Sequence, residues 1–344
     1  FTCSVGRDGT AYCWGANAHG ELGSGTRGNT SSAVRVSGGL KLVSVTAGES
    51  YACGLATSGI AYCWGILPGS DSEPGGEPSA RRVPVPVAGD LTFTSVSAGF
   101  WHACGVTTAG AVYCWGENDD GQLGDGSTTR RTKPVRIASE LTFRSVSAGG
   151  LHSCAVATGG GGYCWGSGAH GALGNGSDQS SARPVAVRGG AGFATVSAGY
   201  LYACALTTDG TAYCWGYNEF GQLGDGTGRS TTVPQAVAGG HAFRSLSAGR
   251  TLARGTTCGV TLAGAALCWG WTSEALGRRD LENETLPGPV VGDLVFRTVS
   301  VGGGHACGVL ADGDVYCWGS NDDGQLGDGF TITRLTPAVV PIPP

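Results

Sequence analysis

The sequence has no methionine, few charged residues and no long apolar segment. Charged residues make up 14% of the 344 positions, against roughly 25% in typical soluble domains. No run of about 18 apolar residues occurs, so we expect no membrane-spanning helix in this chain. The net charge of −5 argues against a nucleic-acid surface, which needs clustered Lys and Arg. The lack of methionine even at position 1 predicts a further segment upstream of Phe1.

The residue patterns of common catalytic and metal sites are also missing. Zinc sites use paired CxxC-type ligands, and the sequence contains no such pair. No phosphate-binding loop occurs, and no nucleophile recurs beside a base. We therefore expect no metal, no cofactor and no enzymatic activity.

Glycine and cysteine are abundant, and both recur with a fixed period. The 64 glycines are spread through seven units of about fifty residues, and each unit contains one "CWG". The 14 cysteines form pairs ten residues apart, one pair per unit. The pairs are Cys3 with Cys13, Cys53 with Cys63, Cys104 with Cys114, Cys154 with Cys164, Cys204 with Cys214, Cys258 with Cys268, and Cys307 with Cys317.

Each unit contains four short β-branched and aromatic segments separated by Gly, Asp, Asn and Pro. This pattern predicts four strands and turns, with no helical periodicity. A four-stranded sheet with two apolar faces must stack against others, and a closed ring of seven buries those faces. The sequence predicts an all-β, seven-bladed β-propeller that forms a single domain over residues 1–344.

The cysteine spacing predicts one disulfide within each blade. Cys204 and Cys214 can face each other across a hairpin whose three-residue turn ends at Gly210, where φ must be positive. Two residues that face each other at a non-hydrogen-bonded position of an antiparallel strand pair have a Cα separation within the range of disulfides. Seven disulfides persist in an oxidising environment, which predicts a secreted, extracellular or cell-surface protein, with the periplasm as an alternative. The turn glycines are Gly9, Gly59, Gly110, Gly160, Gly210, Gly264 and Gly313.

The repeats "SVSAGGLHSCAV", "YCWGENDDGQLGDGS" and "KPVRI" resemble those of the regulator of chromosome condensation family. With their cysteine pairs, the repeats of this chain resemble the form of the family that occurs in bacterial extracellular proteins and in plant crinkly-type receptor-kinase ectodomains. The resemblance covers the whole chain and implies the propeller fold. It does not select a function, because the functions of the family range from nucleotide exchange to β-lactamase inhibition and ultraviolet sensing.

Alternation along "AYCWG" directs each tryptophan toward a neighbouring blade, which predicts that all seven lie in inter-blade cores. The first blade differs from the others, because only six "VSAG"-type strands accompany seven "CWG" strands. The missing strand would lie directly before Phe1, so we expect this blade to have three strands unless another chain supplies the fourth. The tryptophans concerned are Trp14, Trp64, Trp115, Trp165, Trp215, Trp269 and Trp318.

Candidate binding residues come from segments in which the repeats differ. The segment between "AG" and the first cysteine carries aromatic residues in three successive blades and arginines in the next. Such residues are frequent at binding hot spots. The alternative is that these aromatic side chains fold inward and fill the central channel. The candidates are Phe100, Trp101, Leu151, Tyr200, Leu201, Arg250, Arg254 and, in an irregular loop, Trp271.

His102, His152 and His305 lie two residues before their cysteines, and we expect them to form structural hydrogen bonds. The leading functional prediction is a secreted or cell-surface scaffold that binds an unknown protein or glycan, for instance within an extracellular assembly. The alternatives are an enzyme inhibitor resembling the β-lactamase-inhibitor propeller and a receptor ectodomain.

Overall fold

The computed structural model describes residues 1–70, 80–190, 192–250, 255–271, 276–278 and 285–343. Within these ranges the chain forms 27 strands and one 3-10 turn, Ala169–Gly171. None of the described segments is a helix long and apolar enough to cross a bilayer.

The strands are short and follow the four segments of each repeat. Their bounds are β1 Thr2–Val5, β2 Ala11–Gly15, β3 Thr30–Arg35, β4 Leu42–Ala47, β5 Tyr51–Ala56, β6 Ala61–Ile66, β7 Ala80–Pro86, β8 Phe93–Ala98, β9 His102–Thr107, β10 Val112–Gly116, β11 Arg131–Arg136, β12 Phe143–Ala148, β13 His152–Ala157, β14 Gly162–Gly166, β15 Ser181–Ala186, β16 Phe193–Ala198, β17 Tyr202–Thr207, β18 Ala212–Gly216, β19 Thr231–Ala236, β20 Phe243–Ala248, β21 Thr256–Thr261, β22 Ala266–Gly270, β23 Gly288–Pro289, β24 Phe296–Val301, β25 His305–Leu310, β26 Val315–Gly319 and β27 Arg334–Val339.

The strands form seven antiparallel sheets in chain order, which we call blades 1 to 7. Blades 2 to 7 contain four strands each, so the predicted β-propeller is confirmed. Blade 1 consists of β1, β2 and β3. In blade 6 the fourth strand, β23, has two residues, and the loop before it departs in sequence from the loops of the other blades.

The turn prediction is confirmed, and so is the disulfide prediction. All seven turn glycines have φ between +78° and +98°, a region that other residues rarely adopt. In each blade the hairpin register places the two cysteines opposite each other, with their Cα atoms 4.0 to 4.1 Å apart. The seven disulfides join Cys3 to Cys13, Cys53 to Cys63, Cys104 to Cys114, Cys154 to Cys164, Cys204 to Cys214, Cys258 to Cys268, and Cys307 to Cys317.

The tryptophans lie in the cores between blades, also as predicted. All seven are buried, and among the contacts between described residues five donate their indole N–H to a backbone carbonyl of the preceding blade at 2.7 to 3.0 Å. Trp14 forms this bond to Gln325 in blade 7, and the hydroxyl of Thr2 bonds the ring of His305 at 2.8 Å. The ring therefore closes through side-chain contacts between blades 1 and 7.

The first strands of blades 2 to 7 lie around the central channel. Their hydroxyls link successive blades, as where the N–H of Ala148 donates to Ser97 at 3.1 Å. Because the strands alternate in direction, the connections from first to second strand and from third to fourth strand emerge on one side of the ring. We call this side the loop face, and the opposite side, with the three-residue turns, the turn face.

Candidate functional site

The described candidate residues between first and second strands lie in connections that emerge on the loop face, and the structure brings three of them together. The rings of Phe100 and Trp101 are 5.4 Å apart, and those of Phe100 and Tyr200 are 5.7 Å apart, both edge to face. Such pairs contribute roughly 0.5–1.5 kcal/mol beyond the area they bury. We call Phe100, Trp101 and Tyr200 the inner aromatic cluster.

A glycine allows the inner aromatic cluster to form across blade 4. Phe100 belongs to blade 3 and Tyr200 to blade 5, so their rings meet over the connection between β12 and β13. A Cβ added at Gly150 would lie 2.3 Å from Cδ2 of Tyr200, so only glycine leaves room for this ring. The N–H of Phe100 also donates to the carbonyl of Gly149 at 3.0 Å, which fixes the connection against its neighbour.

Exposure separates the members of the inner aromatic cluster. Phe100 is 8% exposed and lines the central cavity, whereas Trp101 is 36% exposed. Tyr200 is half-buried, as are Leu151 and Leu201 in the neighbouring connections. The cluster therefore has a buried support, Phe100, and a solvent-facing ring, Trp101.

Arg250 lies inside the channel. Its Nη1 donates to the carbonyl of Ala47 at 3.1 Å and also to that of Ala98, so the side chain reaches from blade 6 to blades 2 and 3. Burial lowers the pKa of its guanidinium. Arg250 thus caps two strand-terminal carbonyls across the channel. Arg254 lies outside the described residues, as do residues 71–79, 272–275 and 279–284 of the two irregular loops.

A second aromatic group on the loop face contains Trp271 and three residues that sequence reasoning missed. The ring centroids are 4.8 Å apart for His170 and Tyr217, 6.1 Å for Tyr217 and Phe220, and 4.6 Å for Phe220 and Trp271. We call His170, Tyr217, Phe220 and Trp271 the outer aromatic row. It crosses blades 4, 5 and 6 through the connections between third and fourth strands. The signal in the sequence is "NEFGQLG", in which Phe replaces the Asp of "NDDGQLG".

Buried asparagines fix the loops that carry much of this surface. In blade 5, Asn218 accepts the N–H of Leu223 at 2.9 Å and donates to the carbonyls of Thr227 and Arg229 at 3.1 Å. Asn118 forms the same set of bonds in blade 3. Each loop is thereby held at both ends by one side chain, which reduces the ordering cost of binding.

Acidic groups surround the aromatic rings. The hydroxyl of Tyr217 donates to Oε2 of Glu219 at 2.7 Å, and burial together with this carboxylate raises the pKa of Tyr217 to about 12. Burial raises the pKa of Asp120, and the negative charge of nearby Asp119 adds to the shift. Burial and then Asp120 raise the pKa of Tyr200. The loop face therefore combines exposed aromatic edges with negative charge.

The predicted structural hydrogen bonds are confirmed for His102 and His305, whereas the two buried ring nitrogens of His152 have no hydrogen-bond partner among the described residues. The Ser153 hydroxyl donates to the carbonyl of Gln122, so Nε2–H of His102 must donate to Ser153 at 2.8 Å. By the same reasoning His305 donates to Thr2, whose hydroxyl donates to Gln325. Burial lowers the pKa of His102 to about 3, of His152 to about 4 and of His305 to about 3. All three rings are therefore neutral at physiological pH.

Comparison with known proteins agrees with this architecture. Residues 1–254 match the RCC1-like domain, and residues 296–325 and 312–344 match the regulator of chromosome condensation (RCC1) repeat. The Arabidopsis thaliana ultraviolet-B receptor UVR8 is 31% identical over 90 residues, which are 25% of this chain and 20% of the receptor. The matched segment thus spans a fifth of that relative.

Solved structures show the same fold. Human WBSCR16 superposes with a TM-score of 0.84 at 21% identity, covering 97% of this chain and 95% of that one. Yeast RCC1 (Prp20), in its complex with Kap60, superposes with a TM-score of 0.82 at 19% identity, covering 96% and 83%. Because the RCC1-like domain matches more than half of the residues, the chain belongs to the family of RCC1-like propellers, a fold that serves as a protein-interaction scaffold.

Proposed function

We propose that this chain is a secreted or cell-surface binding protein that holds a partner protein on its loop face. The observation that carries the proposal is the pair of aromatic groups on that face, the inner aromatic cluster and the outer aromatic row. Aromatic side chains with partial exposure are frequent at binding hot spots. The protein acts by recognition rather than by catalysis.

The charge around the rings favours a partner with cationic side chains. Glu219 and Asp120 lie beside half-buried tyrosines, and the whole chain carries a net charge of −5. A partner surface with Lys or Arg side chains next to apolar groups fits this arrangement. The cations would pack over aromatic faces, and each such contact is worth about 0.5–2 kcal/mol depending on its burial.

The seven disulfides support the proposed location. Each closes a loop of about eleven residues, for which the chain-entropy model gives roughly 2–3 kcal/mol of stabilisation. Disulfides persist in oxidising compartments and are reduced in the cytosol. A rigid ring of blades also suits recognition, because few loop conformations must be ordered on binding.

The solved structures with the same fold include proteins that bind other proteins. Prp20 from Saccharomyces cerevisiae is described with binding properties to Gsp1p and histones, and its complex with Kap60 is solved. Those partners belong to that protein. For this chain, the aromatic and acidic residues of the loop face support the proposal of a protein partner.

Affinity capture from the extracellular fraction of the source organism tests the proposal. The bait proteins are the parent chain, a double variant with Trp101→Ala and Phe220→Ala, and a Phe330→Ala control whose ring is 55% exposed outside both aromatic groups. We expect a protein that the parent and the control retain and the double variant loses. A captured glycan, or equal capture by all three baits, would overturn the assignment of a protein partner to this surface.

A further inference from the structure

The outermost strand of each blade has one edge at the rim of the ring. These strands are β3, β7, β11, β15, β19, β23 and β27, and within the described residues each pairs only with its inner neighbour. All seven repeat units supply this strand, and the pattern of the repeat adds none outside it. Such an edge presents N–H and C=O groups on which a further extended segment can form a ladder of hydrogen bonds.

Proline protects this edge in six of the seven blades. It occupies the position directly before the residue that pairs with the second cysteine of the blade, as Pro184 does in blade 4. Proline has no N–H, so it removes a donor that an added strand would need. Blade 1 has Ala33 at this position, directly before Val34, which pairs with Cys13. The six prolines are Pro84, Pro134, Pro184, Pro234, Pro287 and Pro337.

The register of blade 1 directs the backbone of Ala33 outward. The N–H of Val36 donates to the carbonyl of Ala11 at 2.9 Å, so Val36 faces the inner neighbour of β3. Backbone groups alternate in direction along a strand, so Val34 also faces inward. The N–H and C=O of Ala33 and Arg35 therefore point away from the sheet. We call Ala33 and Arg35 the open edge of blade 1.

Contacts with two loops mark the ends of the open edge. On one side the carbonyl of Ser31 accepts the N–H of Gly329 from blade 7 at 2.9 Å. On the other side the N–H of Ser37 donates to the carbonyl of Gly23 at 2.9 Å. Between these contacts, no hydrogen bond to the outward backbone groups of the open edge occurs among the described residues. An antiparallel segment of three residues would form four main-chain hydrogen bonds there.

The side chains at the open edge indicate which segment fits. Arg35 is exposed and forms no ion pair with the described residues, whereas its counterpart in blade 3, Arg136, lies 3.5 Å from Glu140. Val34 is half-buried on the opposite face of β3, beside the core between blades 1 and 2. Cross-strand neighbours of opposite charge attract each other, and apolar neighbours pack together. A segment with an acidic residue opposite Arg35 and an apolar residue opposite Val34 therefore matches this edge.

The same charge disfavours a second copy of this chain as the occupant. The register that uses every open backbone group of two copies places Ala33 of each copy opposite Arg35 of the other. The two Arg35 side chains would then be diagonal neighbours on one face of the sheet, roughly 7–8 Å apart. Like charges at this distance repel each other, whereas an acidic segment of another protein is attracted.

We propose that the open edge of blade 1 is a second binding surface, which accepts an extended, acidic segment of a partner protein as an added antiparallel strand. The segment has an acidic residue opposite Arg35, an apolar residue opposite Val34 and, opposite Ala33, a residue other than proline. Main-chain hydrogen bonds provide the affinity, and the two side-chain contacts set the register, as in other cases of strand addition. This surface lies at the rim of the ring and is independent of the loop face.

An NMR titration of the isotope-labelled chain with the blocked peptide STEVTS tests the proposal. Its Glu, Val and second Thr would lie opposite Arg35, Val34 and Ala33. We expect saturable shifts of the Ala33 and Arg35 amide signals, with one peptide bound per chain. The control peptide STEVPS should leave these signals unchanged, because its proline lacks the N–H that donates to Ala33. The peptide STKVTS, with Lys in place of Glu, should bind about twofold to fivefold more weakly.

Matched protein variants test the role of the single open N–H. Ala33→Pro removes this donor and should abolish peptide binding, while the prolines of the other six blades indicate that the fold accepts it. Ala33→Val keeps the donor and should still bind the peptide. Near-ultraviolet circular dichroism verifies that both variants are folded.

Four results would overturn the proposal. They are equal binding by the parent and Ala33→Pro, equal binding of STEVTS and STEVPS, shifts confined to residues outside β3, and no binding at millimolar peptide. Sedimentation of the chain without peptide adds a fifth. A dimer that Ala33→Pro dissociates would assign the open edge to a second copy instead of a partner protein.

Discussion

Acidification should destabilise this propeller through its three buried histidines. An unfolded chain binds protons at histidine with a pKa near 6.5, whereas burial lowers the pKa of His102 and His305 to about 3 and of His152 to about 4. Between these values the unfolded state holds protons that the folded state does not. The free energy of unfolding therefore has its full value above pH 6.5, and it declines as the pH falls toward the pKa values of the folded state.

The magnitude follows from the size of the pKa difference. At pH 5 each histidine is about 1.5 pH units below its unfolded pKa, which corresponds to a loss of about 2 kcal/mol per group. Three groups together give a loss of about 6 kcal/mol between pH 7 and pH 5. Carboxylates also titrate in acid, so a matched variant is needed to isolate one histidine.

Blade 5 supplies the design of that variant. Tyr202 occupies the same position as His102, and its hydroxyl bonds Thr257 of the next blade at 3.1 Å, as His102 bonds Ser153. His102→Tyr should keep an inter-blade hydrogen bond and remove the titration. Urea unfolding at pH 5, 6, 7 and 8, followed by tryptophan fluorescence, gives the free energy of unfolding of both proteins. The variant should lose about 2 kcal/mol less than the parent between pH 7 and pH 5.

Two results would exclude the buried histidines as the cause of acid destabilisation. If the parent and His102→Tyr lose the same free energy of unfolding on acidification, the histidine does not titrate as its burial requires. If the parent becomes more stable as the pH falls from 7 to 5, the sign of the effect is wrong and the three rings are charged in the folded state. Near-ultraviolet circular dichroism at pH 8 verifies that both proteins have the same native packing.

Two further predictions concern the disulfides and the turns. Replacing Cys204 and Cys214 together by serine should lower the free energy of unfolding by about 2–3 kcal/mol, measured by urea titration, and an unchanged midpoint would contradict the stabilising role of the bridge. Gly210→Ala should lower the melting temperature, because φ is +86° and the added Cβ would lie 2.7 Å from the carbonyl oxygen of Phe243. Gly159→Ala, where nothing lies within 4 Å and φ is not positive, is the control, and equal shifts in the two variants would argue against backbone strain.

Local and periodic features of this fold could be predicted from the sequence. The ten-residue spacing within each cysteine pair and the glycine at the third turn position fix one hairpin register, and the structure has that register. The tryptophans were predictable because alternation along a strand directs each side chain to one face. The three strands of blade 1 could be predicted by counting strand motifs in the repeats, and the described residues form three strands there.

The features that depend on ring closure could not be predicted. The sequence pattern places Arg250 beside the aromatic residues of its neighbours, but it bonds the carbonyls of Ala47 and Ala98, which lie over 150 residues earlier in the chain. The contact of Phe220 with Trp271 joins two blades, so the sequence shows the unusual phenylalanine but not its neighbour. Predicting such contacts requires knowing how whole blades are placed relative to one another.

A footprint of the captured partner on the chain decides whether the loop face is the binding surface. Hydrogen exchange of the chain would be compared with and without the partner, residue by residue. We expect protection of the connections that carry Trp101, Tyr217 and Phe220 on the loop face, with no change in the turn that carries Leu262 on the turn face. Protection of the turn face, with the loop face unchanged, would show that the partner binds the opposite side of the ring.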